Sequence, residues 1–110
     1  MVVPLPKATM FGQTLPAAEG DWLAEDIMAW YQAGYLRIYV CISVAGVLRV
    51  ARMIEGVTIT ENLNAGMNLV AGSAYMFTVA FRAGDKINMR YSATGGTIKR
   101  LTIDEIGGAE

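Results

Sequence analysis

Tyr35-Leu36-Arg37-Ile38-Tyr39-Val40-Cys41-Ile42-Ser43-Val44 alternates without a break. Leu36, Ile38, Val40, Ile42 and Val44 take one side of an extended chain, and Tyr35, Arg37, Tyr39, Cys41 and Ser43 take the other. That period of two marks a strand with one buried face. Ala45-Gly46 can turn the chain, because glycine accepts positive φ. Residues 47–53 then return, with Leu48 and Val50 opposed to Val47, Arg49 and Ala51. Gly56 interrupts that run, and Val57, Ile59 and Leu63 predict a further strand.

The same period reappears downstream. Tyr75, Phe77, Val79 and Phe81 share one face, against Ala74, Met76, Thr78, Ala80 and Arg82. Gly84-Asp85 turns the chain into residues 86–91, where Ile87, Met89 and Tyr91 alternate with Lys86, Asn88 and Arg90. Thr94-Gly95-Gly96 turns it again into residues 97–106. There Ile98 falls out of step with Leu101 and Ile103 across Lys99-Arg100, as a β-bulge requires. Six or seven short strands joined by glycine turns predict an all-β sandwich or barrel, since each alternating strand must bury one face against another sheet.

Upstream the pattern changes. Residues 1–20 hold Pro4, Pro6, Pro16, Gly12 and Gly20, which preclude a long helix. They read as an extended N-terminal arm before a domain at 21–110. Val2, Val3, Leu5, Met10, Phe11 and Leu15 make the arm apolar, so it is expected to lie on its own sheet or on a neighbour. Residues 21–34 read two ways. Leu23, Ile27, Trp30 and Tyr31 at helical spacing, with Asp21 before them and Gly34 after, favour one short helix. The competing reading is a strand at 22–28 followed by a loop.

Composition adds a constraint. Of 110 residues 54% are apolar and only 17% charged, with a mean hydropathy of +0.36. A domain this small buries only about two-thirds of its unfolded surface, and burial between subunits resolves the apolar excess. A membrane span is not expected: the longest uncharged apolar run, residues 38–48, lies between Arg37 and Arg49 and is far short of about 20 residues. The first residues do not read as a signal peptide. A net charge of −1 offers nucleic acid no basic face. Residues 1–34 carry Lys7 against Glu19, Asp21, Glu25 and Asp26, a net of −3, while residues 35–53 carry Arg37, Arg49 and Arg52, a net of +3. These charges are either solvated or meet one another, within a subunit or between subunits.

No catalytic, metal or cofactor site is legible. There is no histidine, which removes the usual general base and zinc ligand, and no nucleophile elbow, phosphate loop or dinucleotide fingerprint occurs. Glu25-Asp26 and Asp104-Glu105 read as solvated charges. Cys41, the single cysteine, reads as a small packed hydrophobe. Tyr35, Tyr39 and Cys41 on one strand and Ala74 and Met76 on another are poor choices for water. With the arm, they make Val3, Leu5, Met10, Phe11, Leu15, Tyr35, Tyr39 and Met76 the expected interface residues. An alternative is a carbohydrate- or ligand-binding module, with Trp22, Trp30, Tyr31, Tyr35 and Tyr39 as a stacking platform.

Five segments in order, Gly34-Tyr35-Leu36-Arg37-Ile38-Tyr39-Val40, Ala45-Gly46-Val47-Leu48, Ala71-Gly72-Ser73-Ala74-Tyr75-Met76-Phe77-Thr78-Val79, Gly84-Asp85-Lys86-Ile87-Asn88-Met89-Arg90-Tyr91 and Thr97-Ile98-Lys99-Arg100-Leu101-Thr102-Ile103, resemble the small jelly-roll domains of viral and phage virions, of the capsid-decoration or spike type. The resemblance spans residues 34–106 and is one of strands and turns. It implies a non-enzymatic, self-assembling jelly-roll sandwich located in the virion. It also implies a homo-oligomer, a trimer foremost, with an arm reaching a neighbour and other capsid proteins as further partners.

Overall fold

The structure, a computed structural model, describes residues 4–107. Nine strands follow in order: β1 (Leu5–Met10), β2 (Gln13–Thr14), β3 (Ile27–Met28), β4 (Ala33–Ile42), β5 (Leu48–Ile54), β6 (Val57–Asn62), β7 (Ala74–Arg82), β8 (Lys86–Tyr91) and β9 (Thr97–Gly107). One sheet runs β1-β9-β4-β7, with β2 also on β9; the other runs β3-β8-β5-β6. The pairs nest: β5 with β6, β4 with β7, β3 with β8 and β1 with β9, all antiparallel. It is as if one long hairpin had been rolled over on itself, then closed by β4 against β9 and β5 against β8. The chain is an antiparallel β-sandwich, as the alternation predicted.

Leu36, Ile38, Val40 and Ile42 of β4 point inward and meet Leu48, Val50, Ile87, Met89, Leu101 and Ile103 in one buried cluster. Each such side chain contributes about 1.5–3 kcal/mol relative to leaving it exposed. The predicted bulge is present: Cys41 pairs with Arg100 but Ile42 pairs with Ile98, so Lys99 is the extra residue, and it points to solvent. The β5–β6 hairpin turns on Glu55-Gly56, both at positive φ (49° and 81°), the geometry that suits the twist of a two-residue hairpin.

Residues 21–34 form no helix. The only helical turn among the described residues is a 3-10 turn at Asn64–Gly66. Two distant side chains hold the segment open. Asn88 accepts from the Leu23 N–H and donates to the Leu23 carbonyl, both at 2.9 Å, and donates to Asp26. Glu105 accepts from the N–H groups of Trp30 and Tyr31. With those backbone groups engaged across the fold, a helix has no use for them, and the segment is regular only at Ile27–Met28, a strand on β8, and at Ala33-Gly34, where β4 begins.

The N-terminal segment is extended but belongs to its own subunit. β1 pairs with β9 from Leu5 opposite Glu105 to Met10 opposite Leu101. Leu15 is buried in the core of its own subunit, which corrects its assignment as an interface residue, and Met10 is partly buried at the core's edge. Their burial is set by pairing to β9, invisible in the local sequence. Leu5 is half-buried, while Phe11 stays exposed at the bend between β1 and β2. Val3 lies outside the described residues.

Tyr91 is fully enclosed, packs edge-on against Trp22 at 6.1 Å between centroids and donates its hydroxyl to the Val44 carbonyl at 2.6 Å. Burial, with a smaller contribution from Tyr75, pushes its phenol up from 10.0 to about 12. The fold therefore favours the neutral phenol. That stabilisation is complete below pH 10 and is lost as the pH rises through about 12. Tyr91→Phe should cost about 1 kcal/mol at neutral pH through the lost hydrogen bond and should flatten the alkaline decline. Urea unfolding across the alkaline range checks this; an unchanged decline would contradict it.

Candidate self-association interface

The strand pairings bring Tyr35, Tyr39 and Met76 onto one outward face. Tyr39 of β4 lies between Met76 of β7 and Thr102 of β9, and Thr102 pairs in turn with Thr9 of β1. The next outward row is Thr78, Arg37 and Asp104; beyond it come Ala80, Tyr35 and Ile106, and on the other side Ala74, Cys41 and Arg100. Met76 is 53% exposed and Tyr35 39%, so the middle of a sheet face carries apolar and aromatic surface open to water.

The charges on this face are few and arranged about Tyr39. Arg37 and Arg100 lie over its ring at 5.7 and 5.9 Å from the centroid, a cation–π arrangement. Arg37 also reaches Asp104 at 3.9 Å. Its Nε is buried and finds no acceptor among the described residues. A donor that neither solvent nor the fold satisfies is costly. A shallow hollow of about 390 Å³ opens beside Tyr35, floored by Gly34, Thr78, Val79 and Ala80.

The aromatic platform expected for a ligand does not assemble. Trp22 is in the core, Trp30 stands 75% exposed on a loop, and Tyr31 lies against Gly107, where a Cβ would come within 2.8 Å of its ring. A larger hollow, about 640 Å³, lies between β1 and residues 23–28, and two of its charged groups are already engaged. Lys7 binds Glu105 and the Met28 carbonyl, and Asp26 binds Asn88.

Two polar residues central to the architecture were not singled out by the sequence. Glu105, expected as a solvated charge, is fully buried; only its neighbour Asp104 faces outward. Arg52 is buried too, with Nε on Glu61 at 2.9 Å and Nη1 on Asp85 and the Ala80 carbonyl at 2.8 and 2.7 Å. Their strand parity was the available signal: Glu105 follows Leu101 and Ile103, and Arg52 follows Leu48 and Val50, on inward faces. The acidic N-terminal segment does meet the basic strands within the chain, through Glu19 and Arg49 at 2.7 Å.

Among the described residues, no group of acidic or cysteine side chains is arranged to hold a metal ion, and no helix is long and apolar enough to cross a membrane. No protein-family model matches the chain, and no curated protein matches it in sequence.

Proposed function

We propose that this chain is a non-enzymatic structural protein of a virion, a self-assembling β-sandwich that packs against its own copies through the outer face of the β1-β9-β4-β7 sheet. The observation that carries the reading is the meeting of Tyr35, Tyr39 and Met76 on that exposed face. Covering such surface yields about 25 cal/mol per Å² of apolar area. The nested pairing supports the jelly-roll reading as well. With β2 set aside, eight strands divide into two four-stranded sheets, the chain changing sheet at every connection except the β5–β6 hairpin, the double-sheet arrangement of capsid and lectin domains. Three copies about this face is the number that the resemblance to virion modules implies.

Light scattering on the purified chain should report a homo-oligomer. Tyr39→Asp sets a carboxylate between Arg37 and Arg100, which the free subunit accommodates but an apolar contact does not. The variant should keep the β-type circular dichroism spectrum and fall to a smaller species. An assembly of unchanged mass would remove this face from the account. The virion assignment is tested by mass spectrometry of purified particles, where the chain is expected in copy numbers comparable with other shell proteins; its absence would end that part of the proposal.

A further inference from the structure

β7 is the end strand of its sheet, and its free edge is unguarded. The Ala83 N–H donates to the Gln32 carbonyl at 3.0 Å on the β4 side. Odd-numbered residues of β7 therefore turn their backbone groups toward β4, and the even-numbered Ala74, Met76, Thr78 and Ala80 turn theirs off the sheet. The Ala80 carbonyl agrees, because it accepts from Arg52 at the flank. Arg52 thus closes one end of the edge and leaves Ala74 to Thr78 open.

That run, Ala-Tyr-Met-Phe-Thr, has no charge, proline or glycine. Soluble sheets commonly guard an edge with lysine, proline or a bulge. The opposite edge of the same sheet, β1, has all three: Pro6, Lys7 and a register break between Pro6 and Ala8. Alongside open β7, Val57 and Ile59 of β6 are 61% and 49% exposed. Yet Ile59 pairs with inward-pointing Arg52, so it and Val57 face the sandwich interior. The described residues leave them largely uncovered. The flank offers unpaired backbone on β7 and apolar side chains on β6.

We infer that β7 of a second copy fills this place, the two strands pairing antiparallel about a two-fold axis at Met76. The occupant is fixed by self-complementarity. Met76 faces Met76 of the other copy, and Ala74 faces Thr78. On the inner side Tyr75 comes beside Phe77, extending a stack already present within the chain at 5.9 Å and 5° and adding the aromatic cross-strand pairs that stabilise sheets. No like charges meet. The contact uses the backbone edge of β7 and shares only Met76 with the three residues that carry the face proposed above, so variants at Thr78 and Tyr39 let the two fail separately.

Sedimentation of the full chain tests it. Thr78→Pro removes an N–H from the outward set only, a position where an edge strand tolerates proline. It should halve the mass of the wild-type assembly, while Tyr39→Asp should leave an edge-paired dimer. A folded Thr78→Pro variant with wild-type mass would overturn the pairing. So would a monomeric Tyr39→Asp variant beside an oligomeric wild type, and that result would leave the face reading intact. A cross-link decides the matter if the proline variant misfolds. Met76→Cys, made with Cys41→Ala and Tyr39→Asp, places two thiols on residues about 5.5 Å apart at Cα, within disulfide reach. Mild oxidation should convert most of it to a covalent dimer and leave Ala80→Cys in the same background unlinked. A Met76→Cys protein that stays uncross-linked would refute the proposal.

Discussion

Replacing Glu105 with alanine is expected to lower folding stability by about 4 kcal/mol, or roughly 15 °C in Tm for a domain of this size. The carboxylate has no solvent contact. It holds the Lys7 ammonium at 3.1 Å and accepts from the Trp30 and Tyr31 N–H groups at 2.9–3.0 Å. Alanine leaves a largely covered cation without its counter-charge, holding only the Met28 carbonyl, and two backbone donors without an acceptor, whose desolvation is then uncompensated. Glu105→Gln keeps the volume and one acceptor oxygen, and should lose about half as much. The loss has a local signature besides the global one: the Trp30 and Tyr31 amides should exchange with solvent far faster than the core amides of β4. Denaturant unfolding and hydrogen exchange read the two quantities. An alanine variant within about 1 kcal/mol of wild type would show that the clamp contributes little.

Arg52→Ala is expected to cost about 3 kcal/mol. The guanidinium spans three acceptors, Glu61, Asp85 and the Ala80 carbonyl, and so ties the two sheets together at this flank. Lysine cannot reproduce that fork, so Arg52→Lys should recover less than half of the loss. The contributions divide by exposure. Glu61 is half-exposed and its ion pair should count for less than about 1 kcal/mol, whereas Asp85 is mostly covered. A double-mutant cycle between Arg52→Ala and Asp85→Ala should give a coupling of about 1–3 kcal/mol. Strict additivity would place the stabilisation elsewhere.

These two clusters mark the boundary between what the sequence makes legible and what it hides. β4, β7 and β8 follow from alternation alone, and Tyr35, Tyr39 and Met76 could be assigned to an outward face because a period of two fixes the side of every residue in a strand. Even the bulge at Lys99 is visible as a slip in that period. Residues 21–34 mislead because the groups that hold them open lie far along the chain. Asn88 is 65 residues from Leu23, and Glu105 is 75 from Trp30. The local helical spacing of Leu23, Ile27 and Trp30 is real but has no such competitor in view. Leu15 misleads for the same reason, since its cover is supplied by β9. What was readable is what local periodicity determines; what was not depends on pairings made across most of the chain.

The position of β9 between β1 and β4 also sets the order of events during synthesis. β1 emerges from the ribosome early but pairs with nothing until residues 97–107 follow, and Leu5 waits for Glu105. Only β5 with β6 can form at once from neighbouring residues, and topologies dominated by distant pairings fold slowly. Through most of translation the apolar N-terminal segment and the bare side of β4 are therefore without cover, available to chaperones and to premature contacts alike. The outer face bearing Tyr39 and Thr102 does not exist until β9 is in place. A nascent chain consequently cannot display the face proposed for assembly before the sandwich that supports it is complete, which would make folding a checkpoint on any association through that face.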